Sequence, residues 1–334
     1  MKLTWEQVRA RRLARNRLTE PAPSVVDAVR ATCGIQAQLQ SAAELGTRLR
    51  VDGPADVRAA LWEERTLVRT WTMRGTLHLH PSDEFGLWTS AARATHRGDP
   101  PPAGLLDAFE AVLADGVPRL RAELAEEVAA RVGDWAREPL ASGWAYLTGY
   151  AADAGILCNG PPRGAKVTFV HARSWLGSFG EWEEHEALRE GLRRYVRAYG
   201  PVRDARFVGA RLDTIREELE PVDVDGKRGW ILAGDHDFPD PVPSVFLLPQ
   251  YDAYVIGFRE RDHLLWGAAK ELFWDTRWLK EGRYESPVVF RNAVVDGVIA
   301  GKWSTEGVEL AEPLDPPHAE LLEAELARVR TLSG

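Results

Sequence analysis

Three glutamines at alternate positions, in Gly34-Ile-Gln-Ala-Gln-Leu-Gln40, are the least ordinary polar residues of this 334-residue chain. A carboxamide has no useful pKa, so it is no strong base. It donates and accepts hydrogen bonds at once, so a pair could hold and orient a water molecule. The plainer reading of the spacing is a solvated helix edge, because residues two apart do not share a face of a regular helix. Gln36 and Gln38 converge only at a helix end or in a distorted turn, which Gly34 permits. His78-Leu-His80 sets two imidazoles on one face of a strand, a spacing that metal ligands use. Asp235-His236-Asp237 is the other cluster that could complete such a set, and no Cys or His array does so. A hydrogen-bonding or phosphate-contacting role therefore ranks above a metal site for these histidines.

The cationic residues are the next candidates. The tract 9–17 holds five arginines, Arg12 and Arg15 among them. On one helix they spread around much of the circumference, so part of the tract is solvated surface. Arg69 and Arg74 lie on the same extended segment as His78 and His80, where Glu63, Glu64 or Asp83 could simply pair with them. The net charge of -8 argues against bulk attraction to nucleic acid. That average hides a gradient: nine basic against four acidic residues in 1–50, and sixteen against twenty-five in 201–334. A local anion-binding face on an acidic body is compatible with it. No P-loop, Gly-x-Gly-x-x-Gly, Gly-x-Ser-x-Gly or HExxH motif occurs. Hydrophobic residues at 45% and charged residues at 28% are globular values. No apolar run approaches the ~20 residues that span a bilayer, and the opening MKLTWEQVRARRLARNR has no apolar core for a secretory signal. Cys33 and Cys158 make no disulfide framework, so a soluble, reduced, cytoplasmic protein is expected.

These residues need elements to position them. Helical patterns run over 5–16 behind Thr4, over 24–33 and over 54–64, and residues 67–80 read as extended around Gly75. Helices are expected over 105–114, 118–132 and 144–154. A hairpin follows from 156–159 to 166–170, with Arg163 and Lys166 at its tip. Three helices and a hairpin make a winged-helix pattern. A third repetition has helices over 183–198, 203–212 and 214–219, then strands 222–224 and 230–232 around Asp225-Gly226. Short β runs at 245–248, 254–256, 288–290, 293–295 and 298–300 predict a small sheet, and 316–332 a closing helix. The expected division is 1–100, 101–180 and 181–240 as three winged-helix units, with a β-rich region over 241–334.

Gly34-Ile-Gln-Ala-Gln38, followed by Leu67-Val-Arg-Thr-Trp-Thr-Met-Arg-Gly-Thr-Leu-His-Leu-His-Pro81, resembles the bacterial winged-helix DNA glycosylases of the AlkZ and YcaQ group. Leu247-Leu-Pro-Gln-Tyr-Asp-Ala-Tyr-Val-Ile-Gly257, Val294-Val-Asp-Gly-Val-Ile-Ala-Gly-Lys-Trp303 and the break Tyr199-Gly-Pro201 agree with it, so the likeness covers nearly the whole chain. The resemblance implies an α+β, mainly α fold of tandem winged-helix units in a C-shaped body, with a small C-terminal β-sheet. It implies a monofunctional glycosylase that uses water, needs no metal or cofactor, and releases N7-alkylguanine from double-stranded DNA, including some interstrand crosslinks. Gln36 and Gln38 match the Gln-x-Gln catalytic motif of the AlkZ branch, which is often linked to self-resistance in antibiotic producers. Arg74, His78 and His80 match the second signature. With Arg12, Arg15, Arg69, Arg163 and Lys166 they are the expected DNA contacts. Tyr251 and Asp252, in a family-like stretch, supply a rival base or cation stabiliser, or a plain turn cap. A monomer is expected. The competing readings are a non-enzymatic winged-helix DNA-binding regulator and a metal-dependent hydrolase built on His78, His80, His236 and Asp237.

Overall fold

Thr4 opens the first helix with a reciprocal box. Its Oγ1 accepts from Gln7 N at 3.3 Å, and its N–H donates to Gln7 Oε1 at 3.0 Å. That helix, α1, is Trp5–Arg15. Ser24 caps α2, Val25–Ala31, by accepting from Asp27 N at 3.1 Å. The third helix, α3, is Gln40–Arg48. The computed structural model describes residues 1–72, 75–96, 98–142, 146–203, 211–257, 262–265, 267–275, 283–284 and 286–333. The expected helix over 203–212 lies mostly outside them.

The chain forms two compact units. One comprises Met1–Ala55, Arg193–Asp204 and Ile215–Gly334, the other Asp56–Leu192 and Ala205–Thr214. These units cut across the four consecutive segments, because the first unit gathers both ends of the chain. Strand Lys2–Leu3 pairs parallel with Leu219–Val224, which pairs antiparallel with Lys227–Leu232 around the left-handed residues Asp225 and Gly226. Leu3, Val8, Val222, Val224 and Ile231 form the core beneath. The first unit also holds a four-stranded antiparallel sheet in the order Val245–Leu248, Asn292–Val295, Val298–Trp303, Val308–Leu310. Its central turn needs Gly297, at φ +77, where a Cβ would sit 2.7 Å from Tyr254 Oη. Two expected strands are helical turns instead. Residues 254–256 lie in the helix Ala253–Ile256, which the Asp252 side chain caps, and 288–290 overlap the 3-10 turn Pro287–Val289, begun by its proline.

The last helix, Pro316–Ser333, lays Leu321 and Leu322 on Val245, Val295 and Ala300 of this sheet. His318 ties its N-terminus down, with Nδ1 2.6 Å from Asp315 Oδ1 and Nε2 2.9 Å from Asp296 Oδ2. Burial alone would lower the His318 pKa, but the hydrogen bonds and charges of Asp315 and Asp296 outweigh it and raise it above the ordinary 6.5. A raised histidine stabilises in full below its unfolded value, and the stabilisation is lost as pH rises through the folded value. We expect His318→Gln to lower Tm by about 1–3 °C at pH 5.5 and to leave it unchanged at pH 9. Calorimetry that found the same loss at both pH values would overturn this assignment.

In the second unit, Leu67–Thr72 and Thr76–Pro81 pair antiparallel across Gly75, with Arg69 opposite Leu79 and Thr70 opposite His78. The helices Leu105–Leu113, Arg121–Val132, Arg137–Ala141 and Tyr146–Asp153 then lead into the hairpin Leu157–Arg163 and Lys166–His171. The expected helix 118–132 starts later. Arg119–Leu120 is a strand paired with Thr168 and Phe169, and Leu120 N donates to Glu123 Oε2 at 2.8 Å. Leu105, Phe109, Leu113, Leu124, Val128 and Phe169 belong to the core these helices share with the hairpin. A short strand, helices and a two-stranded wing give this unit its winged-helix form. The fold is mixed α and β, mainly helical, with small sheets.

Candidate active site and nucleic-acid contacts

The glutamine segment is extended, not a helix edge. Cys33 at φ +57 and Gly34 at φ +93 are consecutive left-handed residues that end α2. Gly34 N closes back onto Val29 O at 3.0 Å, a Schellman-type stop. Tyr199 Oη donates to Thr32 O at 2.9 Å and holds that stop in place. The chain then leaves as the two-residue strand Ile35–Gln36, and Gln38 sits in the bend before α3. The two carboxamides thus flank a bend at the end of a short strand and do not lie on a regular helix, where residues two apart face different ways. Gln38 is exposed, while Gln36 is only 7% exposed. Gln36 Oε1 is buried without a hydrogen-bond partner among the described residues. Leaving such an acceptor unmet costs about 1–3 kcal/mol, which a bound donor recovers. The third glutamine has a different employment: Gln40 Nε2 donates to Glu44 Oε1 at 2.9 Å along α3.

Four of the eight expected DNA contacts, Arg12, Arg69, His78 and His80, are buried. Arg12 is 2% exposed. Its Nε donates to Tyr199 O at 2.9 Å and its Nη2 to Pro201 O at 2.7 Å, while Nη1 lies 2.7 Å from His263 Nε2. Burial lowers its pKa to about 10, so it stays cationic at neutral pH. As placed, it satisfies the carbonyls of Tyr199 and Pro201 at the Tyr199-Gly-Pro201 break. Arg15 reaches Asp235 Oδ1 and Asp237 Oδ2, both at 3.0 Å, and Arg11 reaches Asp235 and the Asp237 carbonyl. The Asp235-His236-Asp237 cluster is therefore the counter-charge of α1, with His236 paired to Glu220. Among the described residues no group of three His, Cys, Asp or Glu is gathered as a metal would require.

The second-signature residues are also interior. Arg69 is 5% exposed, and burial lowers its pKa. His78 Nδ1–H donates to Thr76 O at 2.9 Å. His80 is 0% exposed, with Nε2 2.8 Å from Thr72 Oγ1 and its ring stacked on Trp88 at 5.0 Å. Trp88 in turn donates to Glu84 Oε2 at 2.9 Å. These side chains form a polar and aromatic network buried inside the second unit. Arg74 lies outside the described residues. The wing is different: Arg163 and Lys166 are exposed and face each other across Gly164, with Arg163 forked onto Glu123 and Pro118 O.

Tyr251-Asp252 also receives a structural role. Arg50 grips Asp252 with both guanidinium arms, Nη2 to Oδ1 at 2.7 Å and Nη1 to Oδ2 at 2.8 Å. Asp252 Oδ1 further accepts from Tyr254 N at 2.9 Å, and Arg50 Nη1 donates to Gly46 O at 2.7 Å. Both side chains are almost wholly buried. A carboxylate held this way serves as a cap and ion-pair partner and is poorly placed to accept a proton from water. Tyr251 enters the turn at φ +58 and anchors it through its N–H to Val288 O at 2.7 Å. Arg50 carries no local signal that would single it out, because its partner stands 202 positions away.

A family model described as DNA glycosylase AlkZ-like matches residues 29–332. The chain belongs to the AlkZ-like DNA glycosylases. It is 31% identical over 378 aligned positions to an interstrand DNA cross-link repair glycosylase of Streptomyces sahachiroi, covering 100% of this chain and 98% of that protein. The solved structure of the Streptomyces sahachiroi DNA glycosylase AlkZ superposes with a TM-score of 0.84 at 28% identity, covering 100% of this chain and 98% of that one. This AlkZ-like chain is thus an enzyme, a monofunctional DNA glycosylase that hydrolyses the N-glycosyl bond between base and sugar. Among its described residues no helix is long and apolar enough to cross a membrane.

Proposed function

We propose that this AlkZ-like enzyme hydrolyses the glycosidic bond of N7-alkylguanine in double-stranded DNA, interstrand crosslinks included, with Gln36 and Gln38 holding the water. The observation that carries this reading is the unmet, buried Gln36 Oε1 two residues from the exposed carboxamide of Gln38 in the following bend. Alkylation at N7 makes guanine cationic, so the base departs with the electrons of its bond to C1′ and becomes neutral. The remaining demand lies on the sugar, which develops oxocarbenium character. Amide carbonyl dipoles aimed at that charge, and a water held against C1′, meet the demand without a strong base. Water adds to C1′ and its proton leaves to solvent. The exposed Arg163–Lys166 wing supplies attraction to the phosphate backbone. The cross-link repair role of the Streptomyces sahachiroi relative extends here to a monomeric enzyme that protects a cell from a genotoxic alkylator.

The test is duplex DNA carrying N7-methylguanine, incubated with the protein in EDTA and then heated in alkali. Strand breaks at the modified base are expected, and binding should weaken steeply with salt. Binding without breaks on every alkylated duplex tried would replace this reading with that of a DNA-binding regulator. Breaks that EDTA abolishes would point to a metal-dependent hydrolase.

A further inference from the structure

We propose that Leu39 is an apolar wedge that enters the base stack beside the lesion. The proposal rests on the reading of Gln36 and Gln38 as the water-holding pair, since it places the DNA against their segment. Leu39 is 41% exposed, one of six large hydrophobic residues exposed among the described residues, and it directly follows Gln38. It also occupies the N-cap of α3, at φ -107 and ψ 105, and makes no side-chain cap. Leucine ranks among the poorest residues at that position. Thr4, Ser24, Asp56 and Asp252 cap other helices with their side chains. Leu120 also precedes a helix without a side-chain cap, but it is only part-exposed, so Leu39 is the leucine that joins an uncapped start to an exposed side chain.

Leu39 therefore combines two local costs, an exposed aliphatic side chain and a helix start without a side-chain cap. Such a conflict marks a residue kept for contact with something else. The first turn of α3 holds no acidic residue, so no carboxylate there repels the phosphates that flank an opened step. Aliphatic side chains that slip between base pairs unstack them at modest cost and hold the opened geometry. Inserted beside the lesion, Leu39 would present its sugar to the glutamine pair while excluding bulk water. It acts as a positioning residue and touches no bond that changes.

The experiment uses the full chain and a duplex in which 2-aminopurine adjoins 2′-fluoro-N7-methylguanine, whose glycosidic bond resists cleavage. Binding of the unaltered protein should raise 2-aminopurine fluorescence, and Leu39→Ser should lose that rise. On the unfluorinated duplex, Leu39→Ser should excise about 10- to 100-fold more slowly, and Leu39→Met should recover both readouts. Serine caps α3, so Leu39→Ser should also raise Tm, a sign opposite to that of a structural lesion. A full fluorescence rise, or excision at the unaltered rate, in Leu39→Ser overturns the proposal. The fluorescence needs no turnover, so it judges the wedge even if the glutamine assignment fails.

Discussion

Replacing Gln36 and Gln38 together by alanine is expected to abolish base excision, with the single-turnover rate falling by about three orders of magnitude or more. Affinity for duplex DNA should stay within several-fold. The size follows from what the pair is asked to do. A positioned water replaces a bimolecular encounter, and preorganised carbonyl dipoles stabilise a sugar cation in a partly dry site; each effect is worth several kcal/mol. The single variants should differ. Gln36 is the buried partner with the unmet acceptor, and Gln38 is open to solvent, so Gln36→Ala should be the slower enzyme. The check is quench-flow excision of N7-methylguanine beside a binding titration. A double variant that excises at the unaltered rate would remove the pair from the mechanism.

The second large effect concerns stability. Removing one member of a buried ion pair leaves an uncompensated charge and costs about 3–5 kcal/mol. Asp252→Ala strands the Arg50 guanidinium in the interior and also deletes the cap on Ala253–Ile256. We expect Tm to fall by about 5–10 °C. Replacing both partners with apolar residues of similar volume, Arg50→Met with Asp252→Leu, should cost much less, because no charge is then left buried. Asp252→Asn settles the rival role. At a temperature where it is folded, its excision rate should lie within about threefold of the unaltered enzyme. A well-folded but inactive Asp252→Asn would make this carboxylate the base and displace the glutamines.

The wing at 157–171 was readable because turn signals and β-formers sit next to each other, and its exposed Arg163 and Lys166 follow from their place at the tip. The Gln-x-Gln motif was readable as residue types and as a family likeness, but not as backbone. Helical periodicity suggested an edge, and two left-handed residues at Cys33 and Gly34 made it a strand instead. The arginines show the opposite failure. Composition made α1 basic, yet Arg11, Arg12 and Arg15 are answered by Asp235, Asp237 and the carbonyls of Tyr199 and Pro201.

Signals that act within a few residues were already complete in the linear order. Thr4 and Ser24 cap because their oxygens reach N–H groups three positions on, and Asp225-Gly226 turns because its own dihedrals allow it. Which charges meet, which imidazoles are buried and which leucine is left outside depend on pairings such as Arg50 with Asp252, far apart along the chain. No local propensity encodes such pairings, because a buried charge is tolerable only once its distant partner has arrived. The division between buried, paired cations and exposed ones therefore emerges only when the chain has closed on itself.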